Sequence, residues 1–299
     1  MTKLAFMGLR LACLMLFVAQ AFAAGPLPRT LEAAPNGLVT IENTAGSVEV
    51  IAWSRDSVEV SGDLGSDVEE LVFERDGDTV RIEVRIPNGR RGHNDVSSDL
   101  VAKVPEASSV NVTGVSTDVT VSGVTGELRL NSVSGDIETE SFEADVDAET
   151  VSGDVRIDGN GGRNRSRLSS VSGDIEAHDL SGEIQAGTVS GDLTIDGGSF
   201  DTVRAETVSG DLSFSGELAG NGRMDVETVN GEVDINFTGD LSARFDIETF
   251  NGDIDNCFGP QPQRTSRYAP GSELNFTEGG GSARVTIQTL NGDLTLCKQ

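Results

Sequence analysis

Between Met224 and Phe237 apolar and polar residues alternate, but in two phases. Met224, Val226 and Thr228 share one parity, while Val229, Val233, Ile235 and Phe237 share the other, interleaved with Asn230, Glu232, Asp234 and Asn236. Period-two alternation marks a strand with one buried face. A phase slip between Thr228 and Val229 marks a corner where the chain enters another sheet. The slip recurs at Thr249-Phe250, and each one lies in a short phrase. Thr150-Val151-Ser152-Gly153-Asp154 returns, with drift, around Gly135, Gly173, Gly191, Gly210, Gly231, Gly252 and Gly292. The eight central glycines are spaced 18, 20, 18, 19, 21, 21 and 40 residues apart. A period near twenty is one supersecondary unit stacked on copies of itself.

Such a unit holds two or three short strands, and successive units pair in parallel about 4.8 Å apart. The pattern predicts an all-β fold, a single-stranded parallel β-helix (β-solenoid), right-handed, with 18–21 residues per coil. It places Val133, Val151, Val171, Val189, Val208, Val229, Phe250 and Leu290 in one internal stack. The glycine suits a bend where a side chain would be in the way.

The ends differ from the middle. Lys3 and Arg10 precede the apolar run Leu11 to Val18, and Ala21-Phe22-Ala23 offers a small-residue cleavage site, so 1–23 reads as a secretory signal peptide. Arg10 stands where a lipoprotein signal around Cys13 wants an apolar residue. From 24 to 112 the chain is strand-like but irregular, with an Asp76-Gly77 hairpin turn and a Gly/Asn/Arg/Ser-rich loop from Pro87 to Ser98. Terminal repeats of solenoids must cover an open core end, and this stretch reads as a β cap continuous with the solenoid. Residues 113–299 are the regular repeats, with an inserted loop at about 259–271. In these repeats Gly126-Glu127-Leu128 and Gly182-Glu183-Ile184 suggest a second corner in each coil.

Charge narrows the partners. The chain carries -27 at pH 7, and removing Lys3 and Arg10 with the signal takes it to -29. Nucleic acid and anionic lipid are poor partners for such a surface. Nothing after residue 23 is apolar enough to span a membrane. The expected location is therefore the periplasm or the extracellular surface.

The candidate chemistry is repetitive. Asp136, Asp154, Asp174, Asp192, Asp211, Glu232, Asp253 and Asp293 follow the repeat glycines and would form a carboxylate ladder. Such a ladder could bind Ca²⁺ or accept backbone N–H bonds at the corner. The corner role is favoured, because the calcium-binding β-roll has a shorter period and paired glycines. Arg163, Arg165 and Arg167 lie in a Gly/Asn-rich turn, where they could grip an acidic polymer or simply pair with neighbouring acids. The loop near 259–271 carries Arg264, Arg267 and Tyr268, a candidate binding site or a tolerated insertion. His93 and His178 are the only histidines, too few for a His-rich zinc site or a recognisable triad. No phosphate-binding loop, dinucleotide fingerprint or Gly-x-Ser-x-Gly is present, and no cofactor is expected.

The entry Asn43-Thr44-Ala45-Gly46-Ser47-Val48-Glu49-Val50 with Trp53, the segment Leu100-Val101-Ala102-Lys103-Val104-Pro105 and the train of Val-Ser-Gly-Asp repeats resemble the bacterial "putative adhesin" domains of unknown function. The resemblance runs from about Leu31 to Leu296 and implies an exported, non-enzymatic β-helix, with no catalytic residues to carry over. The expected function is a structural or interaction protein, in adhesion or cell-envelope scaffolding, whose partner is an envelope or surface protein or polysaccharide. The alternative is a β-helix carbohydrate-active enzyme, a polysaccharide lyase or hydrolase, by analogy of fold alone.

One covalent expectation follows from spacing. Cys257 and Cys297 are the cysteines left after signal removal, and each lies five residues after its repeat glycine. In an oxidising compartment a lone pair should oxidise. The echo of Asn236-Phe237-Thr238 in Asn275-Phe276-Thr277 favours one coil plus a loop between the cysteines. Adjacent coils would put them about 4.8 Å apart, inside bridging range, and the bridge would pin the last coil.

Overall fold

The buried residues of the repeats form two parallel ladders that face each other across a narrow core. The computed structural model describes residues 27–87, 95–265 and 270–299. The expected signal peptide, His93, Arg267 and Tyr268 lie outside the described residues. Among those described, regular structure is all strand, and no helix is long and apolar enough to cross a membrane.

In one ladder Val110, Leu128, Val146, Ser166, Ile184, Val203 and Met224 stand in parallel register. In the other Ile137, Val155, Ile175, Leu193, Leu212 and Val233 do, at steps of 18, 20, 18, 19 and 21 residues. Stacking like residues buries an aliphatic column without long-range sequence matching. The fold is β-solenoid-like. Toward the C-terminal end the column becomes aromatic. Phe200, Phe214, Phe237 and Phe245 follow one another at centroid distances of 5.8, 5.8 and 6.0 Å, and Phe276 stacks on Phe245 at 4.5 Å.

The expected internal stack of Val133, Val151, Val171, Val189, Val208, Val229, Phe250 and Leu290 is wrong: all eight are on the outside. The reason lies in the residue before each. Ser132, Thr150, Ser170, Thr188, Thr207, Thr228, Thr249 and Thr289 are buried, so the strand's inward parity ends on the hydroxyl residue. The next four residues turn the corner, and Ile137, Val155 and their counterparts re-enter the core. Alternation counted across a corner therefore assigned the apolar residue to the wrong face.

At both ends, order in space departs from order in the chain. Leu38–Trp53 is flanked by Ser109–Ser122 on one side and by Thr79–Arg85 and Ser98–Pro105 on the other. Antiparallel strands lie beyond: Glu70–Asp76 on Thr79–Arg85, Ser57–Leu64 on Ser98–Pro105, and Arg29–Glu32 on Ser57–Leu64. The hairpin expected at Asp76-Gly77 is the turn between Glu70–Asp76 and Thr79–Arg85, with Gly77 at φ 61°. At the other end Ala283–Asn291 is inserted between Leu212–Asn230 and Ala243–Asn251. Likewise Leu294–Lys298 lies between Val233–Phe237 and Ile254–Asn256. Ser272–Thr277 and Gln263–Arg264 close that end in antiparallel pairing. The Asn275-Phe276-Thr277 echo is thus part of a reversed capping strand, not of a further coil. Antiparallel strands at both ends cover the parallel edges that would otherwise template another chain.

Candidate binding groove along the corner ladder

Three main-chain-directed contacts build the corners. The buried hydroxyl donates to the glycine carbonyl of the neighbouring coil: Thr150 to Gly135 at 3.1 Å, Ser170 to Gly153 at 3.0 Å, Thr188 to Gly173 at 3.0 Å and Thr249 to Gly292 at 3.3 Å. The glycines press against one another. A Cβ on Gly173 would lie 1.9 Å from the Gly153 carbonyl oxygen, and one on Gly191 would lie 2.1 Å from that of Gly173. Only glycine permits this approach.

The third contact involves the corner acids. The Asp136 Oδ1 accepts the Asp154 N–H at 2.9 Å, Asp154 that of Asp174 at 2.8 Å, and Asp174 that of Asp192 at 2.7 Å. Asp192 accepts from Asp211 at 2.8 Å, Asp211 from Glu232 at 2.8 Å and Asp293 from Asp253 at 2.9 Å. In the last coils asparagine replaces the serine. The Asn291 amide donates to Asn230 Oδ1 at 2.9 Å and the Asn251 amide to Asn291 Oδ1 at 2.8 Å, following the inserted order of the coils.

Once hydroxyl, glycine and acid are committed to the backbone, the corner's apolar residue has only solvent to face. Val115, Val133, Val151, Val171, Val189, Val208, Val229, Leu290 and Phe250 form a row of nine, each between 37% and 56% exposed. Backbone bonds join consecutive corners, for example the Ser152 N–H to the Val133 carbonyl at 2.9 Å. Eight steps of about 4.8 Å make a row roughly 38 Å long. Beside its C-terminal half runs a groove of about 530 Å³, floored by Val189, Val208, Val229, Leu290 and Phe250 and walled by Glu206, Glu227, Glu248 and Gln288. At Gly187 the wall has no side chain.

This row escaped the sequence reading, although its signal was present. The hydroxyl residue preceding each Val shares parity with Met224 and Val226 or their equivalents, which leaves the Val outside. The other expected sites disperse. Arg163, Arg165 and Arg167 lie on the strand Arg163–Ser169 rather than in a turn, because Ser166 and Leu168 alternate with them into the core. Arg163 pairs with Asp201, Arg165 with Glu183 at 3.2 Å and Asp145 at 3.9 Å, and Arg167 with Asp147 at 4.0 Å. Arg264 is exposed on the short strand Gln263–Arg264. His178 Nε2 lies 3.6 Å from Glu176 Oε2. Cys257 and Cys297 are joined in a disulfide with a Cα–Cα distance of 4.9 Å. The bridge holds the outer coil to the inserted C-terminal strand, so the coil it pins is not the last in the chain.

Among solved structures the chain is similar to a "putative adhesin" of Bacteroides fragilis NCTC 9343, at 12% identity over 90% of this chain and 95% of that one, with a TM-score of 0.46. It is also similar to a "putative lipid binding protein" of Parabacteroides distasonis ATCC 8503, at 12% identity over 93% and 98%, with a TM-score of 0.45. No curated protein matches the chain. The model of the Toastrack family, DUF4097, matches twice, over residues 37–195 and 181–297, and together the two matches span residues 37–297. The protein belongs to the Toastrack DUF4097 family.

Proposed function

We propose that this chain is an exported, non-enzymatic parallel β-helix, coiled right-handed, that acts as an interaction or scaffolding protein in surface adhesion or the cell envelope. The observation that carries the reading is the uninterrupted row of exposed aliphatic and aromatic side chains from Val115 to Phe250. Monomeric proteins keep exposed apolar residues scattered, and a contiguous patch marks a contact surface. The carboxylates that an acid-base catalyst would need at one converging place are instead repeated coil by coil and bonded to the backbone. An envelope or surface protein or polysaccharide is the partner class; the acidic surface disfavours nucleic acid. Incubation with a panel of acidic polysaccharides, with product detection, tests the reading alongside affinity capture from intact cell envelopes. Saturable binding without turnover is expected, and turnover of any substrate would overturn it.

A further inference from the structure

We infer that the corner groove docks a cationic amphipathic helix of a partner protein, an assignment that rests on the interaction-protein reading above. Its floor is four apolar side chains in spatially successive coils: Val208, Val229, Leu290 and Phe250. Phe250 is both the largest and the most exposed of the row, at 56%. The wall is acidic. Glu206, Glu227 and Glu248 line the groove, and among the described residues none of them stands in an ion pair.

Charge complementarity then selects the occupant. A second copy of a chain carrying -27, or an anionic membrane, would bring like charge to these carboxylates. A segment with an apolar stripe bordered by Lys and Arg matches the apolar row and the glutamates beside it. Spacing selects its conformation. The floor residues repeat every ~4.8 Å along the solenoid axis. Helical turns repeat every ~5.4 Å, so three turns drift from three coils by only about 2 Å. Same-face residues of an extended strand repeat every ~6.7 Å and drift by about 6 Å over the same distance. Helix-in-groove recognition of this kind is read as anchors at successive turns.

The test uses the full exported chain and a fluorescent Leu/Lys amphipathic peptide of about 15 residues, enough for four turns. Its controls are a peptide of the same composition with the stripe scrambled, a Leu/Glu helix, and sodium oleate. The Leu/Lys helix is expected to bind saturably, at least about tenfold tighter than either control peptide. Phe250→Ser with Leu290→Ser should weaken it at least tenfold, and Glu206→Gln with Glu227→Gln and Glu248→Gln should weaken it and flatten its salt dependence. These side chains are exposed, so melting temperature should hold; if the first pair destabilises the chain, Val208→Ser with Val229→Ser gives the same reading. Equal binding of the scrambled peptide, or preference for oleate, would overturn the assignment. So would binding that is indifferent to both sets of variants. Absence of peptide binding beside saturable polysaccharide binding would sink the helix site and leave the interaction reading standing, whereas polysaccharide turnover would sink both.

Discussion

At the scale of the residue, the hydroxyl of each corner is an internal fastener whose worth depends on whether it finds its carbonyl. Thr150 does, at 3.1 Å from Gly135, whereas the hydroxyls of Thr228 and Thr289 are buried without a partner. Valine has the same shape without the hydroxyl. Thr150→Val is therefore expected to cost about 1–2 kcal/mol, and Thr228→Val to be neutral or stabilising, because a buried unsatisfied group is removed. Urea midpoints of the two variants decide this, and equal losses would show that the hydroxyl bond contributes nothing. The corner glycine allows a sharper contrast. Gly191→Ala drives a Cβ to within 2.1 Å of the Gly173 carbonyl oxygen, while at Gly187 the nearest atom would be 3.5 Å away. The first should lose roughly 2–4 kcal/mol and the second stay within about 0.5 kcal/mol of the parent.

At the scale of the element, the outer coil at the C-terminal end deserves a separate expectation. Ala243–Asn251 and Ile254–Asn256 have a parallel neighbour on one side only, and the disulfide ties their exit to the inserted strand Leu294–Lys298. Closing a loop of 40 residues in sequence contributes about 2–4 kcal/mol in the chain-entropy account. Reduction should therefore speed amide exchange in 243–256 well before it does so in Leu212–Asn230, which is paired on both faces. Uniform acceleration across the molecule would show that the bridge stabilises the solenoid as a whole rather than its end.

The whole molecule is strongly acidic, and its corner carboxylates are stacked by the fold itself. Corner acids in adjacent coils, about 5 Å apart, repel by about 1 kcal/mol per pair in water-like surroundings. Asp136, Asp154, Asp174, Asp192, Asp211 and Asp293 nevertheless each accept a backbone N–H, which the folded state alone supplies. Monovalent salt should raise the melting temperature by screening that repulsion. Calcium should add nothing specific. If millimolar Ca²⁺ raised the midpoint by more than about ten degrees beyond equal Mg²⁺, the Oδ atoms would be coordinating a metal rather than capping a corner.

Much of this was legible before any coordinates, because repetition is a sequence property. Alternation in the strands and the recurrence of Ser/Thr-Val-Ser-Gly-Asp pointed to an all-β, solenoid-like stack of repeated units, and the glycine's need for close approach followed from its position. The equivalent placement of Cys257 and Cys297 after their glycines anticipated neighbouring coils. One feature belonged to the tertiary structure alone, and a second was signalled in the sequence only by the parity of the corner hydroxyls. The insertion of Ala283–Asn291 between earlier coils is not written in the repeat itself, since Asn230, Asn251 and Asn291 are the same residue at the same repeat position. The outward face of Val133 through Leu290 was settled by a competition at each corner. The core takes one residue there, and it takes the hydroxyl, which at Thr150, Ser170, Thr188 and Thr249 donates to the glycine carbonyl of the neighbouring coil. Periodicity counts apolar positions but carries no record of that carbonyl, and so the row that forms the groove was read as core.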